Sequence, residues 1–277
     1  MNGIIKKLLV LTLVIFSQAG CKSEETPTDS GGENTTGYQL VWSDEFDYTG
    51  KPDSTKWGYD IGDNGWGNNE LQYYTSDEVN ARAENGILVM EAHNYPDAEV
   101  KYTSARLVTR EKGDWLYGKF EIKARLPYGK GIWPAIWMLP TDWFYGGWAA
   151  SGEIDIMELL GHEPERVYGT LHYGGSPPAN VHTGNNYTLP NSTFASDFHI
   201  FTLEWEKEEM RWYIDGELYA TQNEWYTQGH DYPAPFDKKF HLIFNIAVGG
   251  NWPGYPDENT TFPQRMEVDY VRVYQKN

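Results

Sequence analysis

Short segments in which apolar and polar residues alternate recur along the chain, separated by residues typical of turns. In the segment YGKFEIKARLP, Phe120, Ile122 and Ala124 fall on one face of a strand and charged residues fall on the other. Five further segments have a similar strand-like character: GILVMEAHN, FHIFTLEWE, MRWYIDGELYA, KFHLIFNIAV and MEVDYVRVYQ. No long stretch has the period of an amphipathic helix. The pattern therefore predicts an all-β fold and, for this length, a two-sheet sandwich.

The segment IDGELY predicts a β-hairpin. Asp215 and Gly216 stand between two runs that are rich in β-forming residues. Asp-Gly is favoured in two-residue hairpin turns because both turn positions need a positive φ. We therefore expect the two flanking runs to pair as neighbouring antiparallel strands.

The first 21 residues have the organisation of an export signal. Two lysines precede an apolar run, residues 8–16, that is too short to span a membrane, and small residues lead to Cys21. Cys21 is the only cysteine in the sequence, so no disulfide can form within the chain. The tetrapeptide QAGC resembles the lipobox of bacterial lipoproteins, although Gln18 replaces the usual aliphatic residue. We expect a signal peptide over 1–21 with a lipidated Cys21; the alternative is an ordinary cleaved signal with an incidental cysteine.

The chain after the signal divides into a linker and one domain. Residues 22–37 contain no aromatic or aliphatic residue and are rich in Ser, Thr, Glu and Gly, which predicts a flexible linker. No internal repeat or shift in composition divides residues 38–277, so we expect one folded domain there. The organisation predicts an exported protein at the outer membrane or cell surface, otherwise periplasmic or secreted. A lipid anchor would be its only contact with a membrane.

Composition narrows the class of ligand. The sequence has 40 acidic and 22 basic residues, a net charge of -18, and this argues against a nucleic-acid partner because phosphate binding needs clustered Lys and Arg. Aromatic residues make up 16% of the chain, with 20 Tyr, 12 Trp and 11 Phe. Aromatic faces stack on nucleic-acid bases or on sugar rings. With nucleic acid disfavoured, the composition indicates a carbohydrate ligand.

Three carboxylates, Glu153, Asp155 and Glu158, stand within the otherwise apolar run EIDIMELL. Burying a charge costs several kcal/mol unless it is paired, so their placement indicates a function. Residues two apart share a face of a strand, so Glu153 and Asp155 point the same way, whereas regular pleating turns Glu158 to the opposite face. One extra residue at Ile156 or Met157, a β-bulge, would return Glu158 to the side of the other two, and we expect Met157 to be the inserted residue.

The bulge also predicts how far apart the two glutamates lie. Four effective steps of about 3.3 Å place their Cα atoms roughly 13 Å apart. Side chains leaning together could bring the carboxyl groups to near 5 Å, about the separation in retaining glycosidases. One glutamate would attack the anomeric carbon, while the other protonates the leaving oxygen and later activates water. Asp155 would keep the nucleophile ionised and oriented.

Two alternatives apply to the same carboxylates. They could bind calcium, but calcium loops are turn-like and rich in Asp, Asn and Gly, whereas this segment is aliphatic and strand-like. They could also form a solvated charged edge of a sheet.

The run Glu-Ile-Asp-Ile-Met-Glu resembles the bulged E-x-D-x-x-E signature of glycoside hydrolase family 16. Similarity to the laminarinase branch of that family, the endo-β-1,3-glucanases, extends over nearly all of 38–277 through motifs such as LVWSDEFDYTG, WGNNELQYYT, GHEPERVYGTLHYGG and FNIAVGGNWPG. The resemblance implies a concanavalin A-like β-jelly-roll sandwich of two antiparallel sheets, with a substrate cleft on the concave face. It implies that Glu153 is the nucleophile, Asp155 the assisting aspartate and Glu158 the acid/base, with no cofactor for catalysis.

Eight further residues are candidates for substrate binding. They are Asn69, Glu70, Arg106, Trp133, Trp137, His172, Asn245 and Trp252. Trp133 and Trp137 are four apart, so both can face one side of a strand, and each indole offers a stacking surface and an N–H donor. The alternative for both is a place in the core.

The remaining candidates rest on position and on the resemblance. Arg106 would contact sugar hydroxyls, with a plain surface charge as the alternative, and His172 would lie in the cleft unless it is a satisfied structural histidine. The segment around Asn69 and Glu70 is Gly-rich and loop-like, and loops carry binding groups more often than cores do. The resemblance places Asn245 and Trp252 in a loop that closes one end of the cleft.

The resemblance also implies a structural calcium ion. Asp269 would hold it together with backbone carbonyls near Glu45 and Gly86, and ligation by oxygen alone is what calcium prefers. Asp269 has a structural alternative as an outward polar residue of a terminal strand.

The sequence therefore favours an exported, retaining endo-β-1,3-glucanase that acts on laminarin-like or mixed-linkage glucan, and we expect a monomer. One alternative is a galactanase of the same fold, acting on agar- or carrageenan-type polymers. Those polymers are often sulfated and would favour a basic cleft, which a net charge of -18 fits less well. Another is a non-catalytic carbohydrate-binding module, which has no use for two opposed glutamates.

Overall fold

The computed structural model describes residues 37–277. The predicted signal peptide, its Cys21 and residues 22–36 of the predicted linker lie outside the described residues, so the structure does not bear on them. Within residues 37–277, no helix is long and apolar enough to cross a membrane.

The described residues form eighteen strands and one short 3₁₀ turn, Gly65–Gly67. The strands are β1 (Tyr38–Asp44), β2 (Gly58–Tyr59), β3 (Tyr73–Tyr74), β4 (Ala81–Glu84), β5 (Ile87–Asn94), β6 (Tyr102–Ser104), β7 (Arg106–Val108), β8 (Asp114–Trp115), β9 (Gly118–Arg125), β10 (Ile132–Pro140), β11 (Glu153–Leu159), β12 (Arg166–Tyr173), β13 (Val181–Thr188), β14 (His199–Trp205), β15 (Met210–Ile214), β16 (Glu217–Gln222), β17 (Phe240–Val248) and β18 (Gln264–Lys276). The all-β prediction is confirmed.

The strands form two sheets. One has ten strands in the order β16-β15-β14-β9-β18-β5-β6-β3, with β1 paired to β18 and β4 paired to β5. The other has eight strands in the order β13-β12-β11-β10-β17-β7-β2, with β8 paired to β17. Neighbouring strands run antiparallel except β3 and β6, which are parallel. This is the predicted jelly-roll sandwich.

The alternating pattern of β9 explains how its sheet meets the core. Phe120, Ile122 and Ala124 are fully buried between the sheets, while the residues between them are partly exposed. Trp205 of β14 stacks on Phe120. The Trp205 ring also contacts Phe240 of β17 edge-on, and the centroids of these two rings are 5.4 Å apart. Aromatic packing thus joins the two sheets at their centre.

The predicted hairpin is confirmed. Ile214 pairs with Glu217, and the two residues between them, Asp215 and Gly216, have φ angles of 51° and 82°. Both turn positions therefore lie in the left-handed region that Asp-Gly turns adopt readily.

Candidate active site

A cavity of about 1150 Å³ lies on the outer face of the eight-stranded sheet. Its floor comes from five neighbouring strands, β10 to β13 and β17, and from the first residue of β7. Loops before β3 and β11 and after β17 supply the walls. All three carboxylates of the EIDIMELL run line it: Glu153, Asp155 and Glu158.

The predicted bulge in β11 is present. On the β10 side, Ile136 pairs with Met157 and Trp137 pairs with Asp155, so Ile156, rather than the expected Met157, is the residue without a partner. Pairing with β12 also shifts between Asp155 and Glu158. Ile156 and Met157 are both buried in the core, and this pair of successive core residues returns Glu158 to the cavity face.

A tryptophan from the other sheet supports the bulge. The indole nitrogen of Trp212, on β15, donates a hydrogen bond of 2.9 Å to the backbone carbonyl of Asp155. Gly169, on β12 opposite the bulge, makes room for it, because a Cβ there would lie 2.7 Å from the Trp212 ring. The bulge leaves a gap in the ladder, and the indole provides a donor to a buried carbonyl.

Burial dominates the electrostatics of the three carboxylates. Asp155 is 1% exposed and Glu158 is 9% exposed. Burial, with the charge of Asp155 as the next cause, raises the pKa of Glu153 to about 8. The same two causes raise the pKa of Glu158 well above its usual range, and burial alone does so for Asp155. The cluster therefore resists carrying three negative charges at once.

Two indole donors distinguish the glutamates. The Trp148 indole nitrogen donates to Glu153 Oε2 at 2.9 Å, and the Trp133 indole nitrogen donates to Glu158 Oε1 at 3.1 Å. His172 also approaches Glu153 Oε1 at 3.6 Å and lowers the pKa of Glu153. Each glutamate therefore has one carboxyl oxygen that accepts a hydrogen bond from an indole and one that does not.

His172 reaches both carboxylates near the start of β11. It pairs with Glu153 across β11 and β12, and its Nε2 atom lies 3.3 Å from Asp155 Oδ2. Neither Asp155 Oδ2 nor His172 Nδ1 has a hydrogen-bond partner within residues 37–277. The histidine therefore lies in the cavity, as the sequence predicted, and contacts the catalytic candidates directly.

Four of the predicted binding residues lie on the strands of the cavity floor. Trp133, Trp137, Arg106 and Asn245 all line the cavity. The Trp137 indole nitrogen donates to Asn245 Oδ1 at 2.7 Å. The Arg106 guanidinium lies 4.7 Å from the ring centres of both Trp66 and Trp137. This part of the floor thus offers broad aromatic faces that fixed polar partners hold in place.

Of the two predicted binding residues in the loop before β3, Glu70 lines the cavity and Asn69 does not. Glu70 lines the cavity and accepts a hydrogen bond of 2.7 Å from Gln72, while burial raises its pKa. Asn69 does not line the cavity; its amide donates to Asn251 Oδ1 at 2.8 Å, and the neighbouring Asn68 takes the cavity position instead. Asn69 has φ 57°, a left-handed conformation that sequence alone does not predict.

Trp252 lies where the predicted closing loop would put it, on the cavity wall and 43% exposed. Its ring meets Trp133 and Tyr168 edge-on, with centroids 5.6 and 5.1 Å away. An exposed indole held by two other rings is a ready surface for a sugar face.

Several cavity residues were not predicted. Trp148 contacts Glu153, and its signal in the sequence was a tryptophan in the Gly-rich segment FYGGWAASG just before β11. Trp66 stacks on Arg106. The polar edge strand β13 supplies a further set of lining residues, which are His182, Thr183, Gly184, Asn185 and Asn186. Its run of exposed polar residues has no alternation that would have assigned it to a cleft.

The predicted calcium ligands have other partners in this structure. Glu45 makes a two-pronged ion pair with Arg272, with distances of 2.9 and 2.8 Å, and Asp269 pairs with Lys123 at 2.6 Å. Gly86 has φ 76° and lies near Asp47. Calcium takes six to eight oxygen ligands, and the Asp269 carboxylate, the one side chain predicted to hold the ion, is already neutralised by Lys123. The contacts give the calcium site no support, and it stays a prediction.

Comparison with known proteins places this geometry in a family. Residues 63–272 match the description "Glycosyl hydrolases family 16". A beta-glucanase of Rhodothermus marinus is 51% identical over 245 residues, covering 86% of this chain and 85% of that protein. A glucan endo-1,3-beta-glucosidase A1 of Niallia circulans is 43% identical over 91% of this chain, which spans only 39% of that relative.

A solved structure has the same fold. The X-ray structure of the laminarinase from Rhodothermus marinus is 48% identical, with a TM-score of 0.78, and the match covers 86% of this chain and 97% of that one. The bulged carboxylate strand, the aromatic cavity and these similarities agree. The chain belongs to the glycosyl hydrolases of family 16.

Proposed function

We propose that this protein is a retaining endo-β-1,3-glucanase that cleaves laminarin-like or mixed-linkage β-glucans. The observation that carries the proposal is the arrangement of Glu153 and Glu158, which share one face of a bulged strand at the floor of an aromatic cavity. The relatives named as a beta-glucanase and a glucan endo-1,3-beta-glucosidase support the choice of substrate.

Glu153 acts as the nucleophile. Trp148 holds its Oε2 atom, which leaves Oε1 to attack the anomeric carbon. Glu158 carries the proton, and because Trp133 donates to its Oε1, the transferable proton is on Oε2. As the bond between Glu153 and C1 forms, this proton passes to the leaving glycosidic oxygen and the first product departs.

The second step reverses these roles. Glu158, now ionised, takes a proton from water, and the water oxygen attacks C1. The ester bond to Glu153 breaks, which returns the nucleophile as a carboxylate and Glu158 in its acid form. Two displacements at C1 leave the product with the same anomeric configuration as the substrate.

Asp155 and His172 regulate the charge beside the nucleophile. The raised pKa of Asp155 means that it holds a proton more readily than an exposed aspartate does. A neutral Asp155 lessens the negative charge next to Glu153, and His172 faces both side chains. This pair lets Glu153 ionise in a buried site.

The walls of the cavity suit a neutral polysaccharide. Indole faces from Trp133, Trp137 and Trp252 can pack on the apolar faces of glucose rings, while β13 offers amide and hydroxyl groups to their hydroxyls. Arg106 is the single Lys or Arg side chain that lines the cavity within the described residues. The cavity therefore lacks the cluster of basic side chains that a sulfated galactan would favour.

Export forms part of the proposal and rests on the sequence alone. A signal over 1–21 and lipidation of Cys21 would place the enzyme where polymeric glucan is available. Labelling the protein with a radioactive fatty acid in a bacterial host tests this, since Cys21→Ala should lose the label. A Cys21→Ala protein that keeps it would contradict lipidation at this position.

A reducing-sugar assay on laminarin, lichenan, agarose and carrageenan tests the activity. We expect release of reducing ends from laminarin and none from the galactans. Glu153→Gln protein, prepared in parallel, controls for contaminating hydrolases. Activity on a galactan without activity on any β-1,3-glucan would overturn the proposed substrate, and activity on none of the four would overturn the enzyme itself.

A further inference from the structure

The cavity contains a cluster of possible metal-ligand atoms, and the proposed mechanism does not account for how closely they are grouped. Glu153, Asp155 and His172 each offer one ligand atom, and these atoms all lie within 4.8 Å of one another. Within the described residues, no other group of three such side chains meets this condition. The group joins two carboxylates to one imidazole, a donor set typical of first-row transition metals rather than calcium.

The distances fit a small tetrahedral ion. Zinc bonds to imidazole nitrogen and carboxylate oxygen measure about 2.0–2.1 Å, so neighbouring ligand atoms lie about 3.3 Å apart around a tetrahedral centre. His172 Nε2 is 3.3 Å from Asp155 Oδ2 and 3.6 Å from Glu153 Oε1. Small side-chain rotations would therefore complete three ligands and leave the fourth position to water.

An independent observation points into the same space. Asp155 is 1% exposed, yet its Oδ2 atom has no hydrogen-bond partner within residues 37–277. A buried carboxylate oxygen without a partner is costly and rare, and here it faces the His172 nitrogen across the cluster. The Trp148 donor occupies Glu153 Oε2 and leaves Oε1 available.

We propose that Glu153, Asp155 and His172 form a binding site for a divalent transition-metal ion, and that an ion bound there inhibits the enzyme by occupying the nucleophile. The inhibition rests on the proposed function, whereas the binding does not. The ion enters from the cavity, so a glucan chain and the metal exclude each other.

The surroundings of His172 predict moderate affinity for the ion. A ligating histidine usually donates its other ring N–H to a fixed partner, and losing that partner costs roughly 10- to 100-fold in affinity. His172 Nδ1 has no such partner in the part of the chain that the structure describes. The site should therefore bind and release zinc reversibly, unlike a structural zinc site.

Calorimetric titration of metal-free, untagged protein with zinc chloride, without substrate, tests the site. We expect one saturable site on the wild type, weakened at least tenfold in Asp155→Asn and in His172→Asn. Circular dichroism confirms that each variant folds. His182→Asn is the matched control, because His182 lies in the same cavity with its ring 5.5 Å from that of His172 but belongs to no such cluster.

A second control removes a histidine that pairs with an aspartate outside the cavity. His199 Nδ1 lies 2.7 Å from Asp215 Oδ2, and neither residue lines the cavity. His199→Asn should therefore leave zinc binding within about twofold of the wild type. Absent binding, or binding that survives both cluster variants, would overturn the inference. So would binding that disappears in His182→Asn or His199→Asn.

Kinetics on laminarin separate this inference from the proposed function. We expect zinc to raise the apparent KM without changing kcat at saturating substrate, and a chelator to reverse the effect. Hydrolysis that zinc leaves untouched would overturn the inhibitory role alone. Failure to hydrolyse any glucan would overturn the proposed function, while the calorimetric titration would still decide whether the metal binds.

Discussion

Replacing Trp148 by phenylalanine removes one hydrogen bond from the nucleophile and little else. The Trp148 indole nitrogen donates to Glu153 Oε2 at 2.9 Å, and the ring also lies 5.6 Å from that of His172. Phenylalanine keeps an aromatic ring in the loop but has no donor. Since this hydrogen bond lowers the pKa of Glu153, its loss raises that pKa further and makes the ionised nucleophile scarcer.

The expected effect follows from the strength of a charge-assisted bond. Hydrogen bonds to charged groups contribute about 1.5–3 kcal/mol, and about 1.36 kcal/mol corresponds to a tenfold change in rate. Trp148→Phe should therefore lower kcat/KM on laminarin by about 10- to 150-fold on the acidic side of the pH profile. The acid limb should move to higher pH, because more hydroxide is needed to ionise Glu153.

Initial rates over a range of pH, measured by release of reducing ends, give this profile. Trp143→Phe is the matched control: Trp143 lines the same cavity and is 47% exposed, but in the described part of the chain its indole donates no hydrogen bond to Glu153. The control should change kcat/KM by less than about threefold and leave the acid limb in place. If Trp148→Phe loses activity equally at every pH, Trp148 acts by contacting sugar and the argument from its hydrogen bond is wrong.

Three further changes test other parts of the site. Glu153→Gln should abolish turnover on laminarin while leaving the circular dichroism spectrum unchanged; appreciable residual hydrolysis would mean that another group is the nucleophile. Deleting Ile156 alone restores regular pairing and keeps Glu158 on the cavity face. Deleting both Ile156 and Met157 turns Glu158 into the core, so this double deletion should have a lower melting temperature than the single deletion. Equal melting temperatures would contradict the bulge assignment. Trp252→Ala should raise KM about tenfold with kcat nearly constant, since it removes an exposed stacking surface and leaves the indole donors of both glutamates in place; a fall in kcat with unchanged KM would argue against this role.

The bulge in β11 could be predicted from the sequence, but its exact position could not. Strand periodicity required one extra residue between Asp155 and Glu158, but the choice of Met157 for that position was wrong, because Ile156 is equally apolar and can equally face a core. Pairing with β10 assigns the extra position to Ile156. The register of a partner strand decides this, and that register depends on residues far away in the sequence.

The parts of the site that the sequence missed have a common cause. Trp148 and the residues of β13 lie in the cavity because of how loops and edge strands are positioned, and they follow no period that would mark a face. Asn69 turns away from the cavity through a left-handed backbone conformation at a single residue. By contrast, Trp133 and Trp137 lie on a regular strand, where an even spacing is enough to predict a shared face.

The calcium site predicted near Glu45 and Asp269 shows a different limit. Resemblance to a family suggested a calcium site, but it could not show that Arg272 and Lys123 would pair with these side chains. Each partner is on a strand, β18 or β9, whose register brings it alongside the carboxylate. A local motif contains no information about such neighbours.

Proton NMR of the first products released from a β-1,3-glucan tests the central claim most directly. If Glu153 and Glu158 act as nucleophile and acid/base from one face of the bulged strand, the new reducing ends appear first as the β-anomer. The α-anomer should then grow in only at the rate of mutarotation. Initial release of the α-anomer would show inversion and would mean that the two glutamates do not form a retaining pair.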